Sequence, residues 1–241
     1  MNHSKQFAAL LAAAMVGFVP MSRAQSVSAQ APTHDWSGFY LGVDVGYSWS
    51  NRNREAYNAV NGAFLGFSTG HTEGPLGGVH AGYNFNFTPE IVAGGEIDVF
   101  ADGANGSELV VAGPPGNSGT AQSQAHWSGR FRARLGYVIP NMPVLAFMSL
   151  GMAWTDSTAE RHQVTGTTGN AHPGTTDRVS IFATGLSAGA GAEFALARNW
   201  TVRAEYLYSD FETHTTFPTF QRSSKDKGTR HTVLTGLSYQ F

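Results

Sequence analysis

Residues 231–241 read His231-Thr232-Val233-Leu234-Thr235-Gly236-Leu237-Ser238-Tyr239-Gln240-Phe241. Val233, Leu237, Tyr239 and Phe241 share one parity of an extended chain, and Gly236, Ser238, Gln240 and Thr232 share the other. Successive side chains of a strand point to opposite faces, so the stretch presents one apolar and one polar side. It closes on an aromatic, Phe241, with Tyr239 two residues before. That ending suits a strand whose apolar side meets lipid rather than a protein core.

Seven further segments alternate in the same way. Residues 36–49 set Phe39, Leu41, Val43, Val45, Tyr47 and Trp49 against Tyr40, Gly42, Asp44, Gly46 and Ser48. Residues 76–87 set Val79, Ala81, Tyr83 and Phe85 against His80, Gly82 and Asn84. Residues 91–101 set Ile91, Ala93, Ile97 and Val99 against Gly94, Glu96 and Asp98. Residues 124–138 set Trp127, Phe131, Leu135 and Tyr137 against Ser128, Arg130, Arg132 and Arg134. Residues 144–154, 179–194 and 200–211 follow, the last two with Glu193, Arg203 and Glu205 on the polar side.

Composition narrows what these strands build. Cysteine is absent, which removes disulfide scaffolds, thiolate nucleophiles and Cys-ligated metals. The formal net charge of −2 gives no reason to expect a nucleic-acid partner. Lysine occurs only at 5, 225 and 227, outside all eight segments, whereas a soluble sheet puts lysine on its wet face. Residues 1–24 carry Lys5, an apolar run over 7–21 and small residues at Ser22 and Ala24. They read as a secretory signal peptide cut after Ala24, the run being shorter than the about 20 residues of a spanning helix. Residues 25–35 then form a polar N-terminal tail, and 36–241 form the barrel.

Three features turn the polar face inward. Its charges have opposite-sign neighbours: Glu96 and Asp98 beside Arg130, Arg132 and Arg134, and Glu193 beside Arg203 and Glu205. Unpaired charge in a confined interior is costly, so such pairing suits a lumen. Glycine is frequent on that face and leaves room for long side chains. Aromatics gather at strand ends (Trp49, Phe85, Phe87, Trp127, Tyr137, Trp154, Phe194, Trp200, Tyr239 and Phe241), as in the girdles at the two lipid interfaces. The links at 88–90, 139–143 and 195–199 are short, and those at 50–75, 102–123, 155–178 and 212–228 are long. The expected architecture is all-β: an eight-stranded antiparallel up-and-down transmembrane β-barrel with three short periplasmic turns and four long extracellular loops.

Trp36-Ser37-Gly38-Phe39-Tyr40-Leu41-Gly42, Gly95-Glu96-Ile97-Asp98, Arg130-Phe131-Arg132-Ala133-Arg134-Leu135-Gly136-Tyr137, Gly189-Ala190-Gly191-Ala192-Glu193-Phe194 and Ala204-Glu205-Tyr206-Leu207-Tyr208 together resemble the strand motifs of small OmpA-like outer-membrane barrels, the RopB-type porin-family group of Gram-negative bacteria. The resemblance runs from about residue 36 to 241 and leaves the long loops uncovered. It implies the bacterial outer membrane as location. It also implies that Phe241, with Tyr239, is part of a signal read by the barrel-assembly machinery, and that lipid and lipopolysaccharide surround the barrel.

The candidate site is a lumen ion-pair network of Glu96, Asp98, Arg130, Arg132, Arg134, Glu193, Arg203 and Glu205. In a narrow barrel that side chains nearly fill, it reads as a structural plug more readily than as a selectivity lining. His126 and Ser128 share a strand face, but a lipid deacylase would need them at the lipid level, so no catalytic residues are assigned. His71, His162, His172 and His214 lie in proposed loops without metal-ligand spacing, and neither metal nor cofactor is expected. Ser224-Lys225-Asp226-Lys227-Gly228 reads as the tip of the fourth loop, and Gly113-Pro114-Pro115-Gly116 as that of the second. The expected function is structural and envelope-stabilising, with surface display. The alternatives are a narrow pore for small solutes and a surface receptor or adhesin whose loops bind haem or host ligands.

Overall fold

The computed structural model describes residues 34–111 (side chains as far as 107), 118–167 and 170–241. The expected signal peptide and the 113–116 turn lie outside these residues.

The chain forms β1 (Gly38–Asn58), β2 (Phe64–Asn86), β3 (Ile91–Asp102), β4 (Asn105–Val111), β5 (Ser118–Val138), β6 (Val144–Thr165), β7 (Thr176–Ala195), β8 (Trp200–Phe217) and β9 (Arg222–Gln240). Every neighbouring pair is antiparallel. β1 pairs with both β2 and β9, so the sheet closes on itself. β3 and β4 are two pieces of one stave, interrupted at Gly103 and Ala104, and both pair with β5. The ring therefore has eight staves. Closure pairs the backbone along the membrane-spanning staves and leaves no edge facing lipid.

The faces divide by parity. Val43 is 58 % exposed and Leu135 52 %, whereas Asp44 and Arg134 beside them are buried. The closing strand lies with Leu41 opposite Tyr239 and Val43 opposite Leu237. Tyr239 packs edge-to-face between Trp200 and Phe241, with ring centroids 5.1 Å from each, at the short-turn end. The short turns follow their residues. Thr88 Oγ1 accepts the Glu90 and Ile91 amides at 3.3 and 3.0 Å. Asn141 takes a positive φ of 63° between Pro140 and Pro143.

Two expectations are corrected. The long links are mostly not loops. β1 and β2 stay paired from Ser50↔Thr72 to Ala56↔Gly66, and β8 and β9 from Thr213↔Asp226 to Phe217↔Arg222. The real turns are short, at 59–63 and 218–221. Above the lipid nothing forces the outer face to be apolar, so alternation fades while backbone pairing continues. In consequence Ser224–Gly228 is not a loop tip: it lies within β9, and Asp226 is buried and bonded to Arg54. His71, His162 and His214 are likewise on strands.

Trp36, expected within the first strand, precedes β1. Its buried ring packs with Val92 and Leu145 and stops the lumen at the short-turn end. The last residues of the expected free tail are tied down as well: His34 Nε2 lies 3.0 Å from Gln240 Oε1, and Asn86 Nδ2 donates to Asp35 Oδ1 at 3.0 Å.

Candidate functional site: a charged and closed lumen

Inward parity brings all eight candidate residues into the barrel, where all are buried. Register does the first part of the work. Glu96 stands opposite Arg132 and Asp98 opposite Arg130 on adjacent strands. Arg130 Nε donates to Asp98 Oδ1 at 2.9 Å. Arg132 Nη2 donates to Glu96 Oε1 at 2.6 Å and Asp98 Oδ2 at 2.9 Å.

The remaining bonds cross the lumen. β3 and β8 stand on opposite sides of the ring, yet Arg203 Nη1 reaches Glu96 Oε2 at 2.7 Å. The same guanidinium grips Asp44 of β1 bidentately, Nε and Nη2 each at 2.8 Å. Arg132 Nη1 bonds Glu205 of β8 and Ser149 of β6. Arg134 Nη2 donates to Glu193 Oε1 at 2.6 Å and its Nη1 to Tyr40 Oη at 2.8 Å, with the Phe147 ring 4.2 Å below. Tyr40 in turn donates to Glu96 Oε2 at 2.9 Å. His80 lies between Asp44 Oδ2 at 2.7 Å and Ser238 Oγ at 2.8 Å.

Glycine makes the space. A Cβ on Gly82 would fall 2.2 Å from the Tyr40 hydroxyl, and one on Gly236 would fall 2.0 Å from Asp44 Oδ1. Charge-assisted bidentate bonds at these distances are the strong kind. Each ion lost its hydration on burial, and only this density of partners offsets that cost.

The partners differ in part from those read off neighbouring strands. Glu193 and Arg203 face each other in register, but Glu193 bonds Arg134 and Arg203 bonds Asp44 and Glu96. Asp44, Tyr40 and His80 were legible as polar-face residues but not as members of the network. An apolar layer was also missed. Leu76, Phe100, Leu207 and Leu234 point inward and pack together, with Arg130 stacked 4.8 Å over Phe100. Each is an apolar side chain at inward parity, and that is the signal available in the sequence.

Beyond this layer lies a second polar tier. Arg230 bonds Asp102 and Ser48, Ser128 donates to Asp102 at 3.1 Å, and Arg54 Nε donates to Asp226 at 2.8 Å. Phe217, Phe220, Ile181, Ala159 and Ala171 form an apolar cluster at the long-hairpin end. The Ser128 hydroxyl is thus committed to Asp102. His126 sits in a bulge of β5 and bonds Thr158 at 2.9 Å, so no imidazole serves Ser128 as a base. No group of three or more potential metal ligands occurs among the described residues.

An eight-staved closed sheet, apolar outside and ionic inside, defines a transmembrane β-barrel. The sequence model of the outer membrane protein beta-barrel domain family matches residues 11–241, and the chain belongs to that family. It is an outer-membrane protein. The 31 kDa outer-membrane immunogenic protein of Brucella melitensis biotype 1 is 31 % identical over 221 residues, covering 89 % of this chain and 87 % of the relative. The 22 kDa outer membrane protein of Rhizobium leguminosarum bv. viciae is 28 % identical over 181 residues, covering 75 % and 67 %. Among solved structures, the outer membrane protein OprG of Pseudomonas aeruginosa aligns with a TM-score of 0.54 at 12 % identity, covering 87 % of this chain and 98 % of that one. That likeness is one of fold. Short turns and both strand termini thus lie at the periplasmic end, and the long hairpins are extracellular.

Proposed function

We propose that the protein is a non-conducting, non-catalytic barrel that reinforces the outer membrane and raises four β-hairpins above it. One observation carries this reading: Arg132 and Arg203, among the most completely buried large side chains, bond carboxylates from strands across the ring. An ion crossing that layer would have to break several charge-assisted bonds in a water-poor interior. The outer surface supports the same reading, since its apolar belt matches lipid and its long hairpins project beyond it. The naming of the Brucella relatives as immunogenic accords with surface display. In this proposal the barrel contacts outer-membrane lipid and lipopolysaccharide, and Phe241 with Tyr239 forms part of what the barrel-assembly machinery reads.

Purified barrel inserted in planar bilayers tests the proposal. Membranes should stay at their baseline conductance. Discrete, voltage-independent steps from the wild-type protein would show a pore instead. A second reading, a surface receptor or adhesin, draws on the first hairpin, where Val60, Phe64 and Phe67 are exposed together. Binding to host matrix or haem that disappears when 59–67 is replaced by Gly and Ser would favour it.

A further inference from the structure

The extracellular half of the lumen is built differently from the plug below it. A chamber lies above the Phe100–Leu207–Leu234 layer. Its walls carry the hydroxyls of Ser50, Thr72, Ser123 and Thr213 and the guanidiniums of Arg52 and Arg230. Its acids are already engaged. Asp102 is held by Arg230 and Ser128, and Asp226 by Arg54. Arg52 is half-buried on the lumen side of β1, and no carboxylate lies within salt-bridge distance of it among the described residues. In the plug every arginine has a carboxylate, so Arg52 is a departure from the barrel's own rule.

The pairing ladder beside Arg52 is also interrupted. β4 pairs with β5 along Asn105–Val111, and β2 pairs with β1 up to Phe64. Between β2 and β4 themselves, pairing among the described residues is confined to Glu73↔Asn105. Above that rung the lumen continues as a cavity lined by residues of β2, β4, β5, β6 and β8, Glu160 and Phe217 among them, together with Arg52 and Arg54. The chamber thus extends past Arg52 toward the long-hairpin end.

We propose that this chamber binds an oxyanion group, a phosphate or phosphate monoester, with Arg52 as its charged ligand and the surrounding hydroxyls as hydrogen-bond donors. A guanidinium taken out of bulk water without a carboxylate is costly, and an anion supplying two parallel acceptors offsets that cost. Arginine's planar fork matches a phosphate as it matches a carboxylate, and hydroxyls complete such sites because they donate without adding charge. The plug below makes the chamber a dead end, so the group binds there and does not cross. Two sources share this chemistry: free phosphate, and the phosphorylated headgroup of an outer-leaflet glycolipid, each entering from the long-hairpin end.

The test is calorimetric titration of inorganic phosphate, against chloride at equal ionic strength, into the full refolded chain in zwitterionic detergent. Saturable binding is expected. Arg52→Gln should weaken it about tenfold, the scale of one lost charge-assisted hydrogen bond. Arg52→Lys should weaken it less than Arg52→Gln, because the charge stays while the fork is lost. Arg198→Gln, which alters an exposed arginine in the short turn at the opposite end of the barrel, should leave it unchanged. A heat-dependent gel shift confirms that each variant is folded. No saturable binding by the wild type, or equal weakening in Arg52→Gln and Arg198→Gln, overturns the site. The source is read in nanodiscs holding a bis-phosphorylated glycolipid or its dephosphorylated form. Displacement of phosphate by the phosphorylated lipid alone assigns the site to the membrane, and no displacement by either assigns it to the free anion.

Discussion

At the scale of the residue, parity decides which substitutions the barrel tolerates. Val43 faces lipid near the middle of the membrane-spanning part of β1 and Asp44, the next residue, faces the lumen. Val43→Arg should cost about 2–4 kcal/mol, the penalty for a cation at the lipid face near the midplane. Urea unfolding of the protein in lipid vesicles measures it. Arg132→Met should cost about 3–5 kcal/mol, because Glu96, Asp98 and Glu205 lose their shared cation and remain buried. Adding Glu205→Gln should recover part of that loss. A double-mutant cycle without coupling energy would show that the Arg132–Glu205 bond contributes nothing. Gly82→Ala should also destabilise, by about 1–3 kcal/mol, since the new methyl takes the place of the Tyr40 hydroxyl. These residues were legible to different degrees. Glu96 and the three arginines of β5 could be paired from adjacent strands. Asp44 and His80 bond each other across the adjacent β1 and β2, but the bonds of Asp44 to Arg203 of β8 and of His80 to Ser238 of β9 are set by ring closure.

At the scale of the element, strands outlast the pattern that betrays them. Within the membrane, lipid on one side and ion pairs on the other enforce period two, and the eight segments were readable there. Outside it both faces of a hairpin meet water or polar neighbours, so Arg52 to Arg54 and Ser224 to Asp226 carry no apolar rhythm although they are paired. The turn at 59–63 is set by local chemistry. Asn58 Oδ1 accepts the Val60 and Asn61 amides at 2.8 and 3.2 Å, and Gly62 takes φ +70°. An epitope inserted between Val60 and Asn61 should leave insertion intact and be labelled by antibody on whole cells. The same epitope between Pro89 and Glu90 should be labelled only after the outer membrane is permeabilised. Labelling of the second site on intact cells would reverse the topology.

At the scale of the whole molecule, the interior is layered: an apolar stopper around Trp36, the ion-pair plug, the Phe100 layer, the chamber and the upper apolar cluster. Replacing Glu96, Arg132, Arg203 and Glu205 together with alanine removes the bonds that Arg132 and Arg203 make across the lumen and leaves the net charge unchanged. Stepwise conductance in planar bilayers should appear in that variant and not in the wild type. The sequence by itself determined the eight membrane-crossing strands, their faces and their order, because alternation is a local property imposed by lipid on one side. It also placed the charges inside. The tertiary structure alone decided which charges meet across the lumen, how far the strands continue beyond the lipid, and where pairing lapses between β2 and β4. The physical reason is that these depend on closure of the ring and its register. Closure brings together side chains more than a hundred residues apart, at distances that no period within a single strand records.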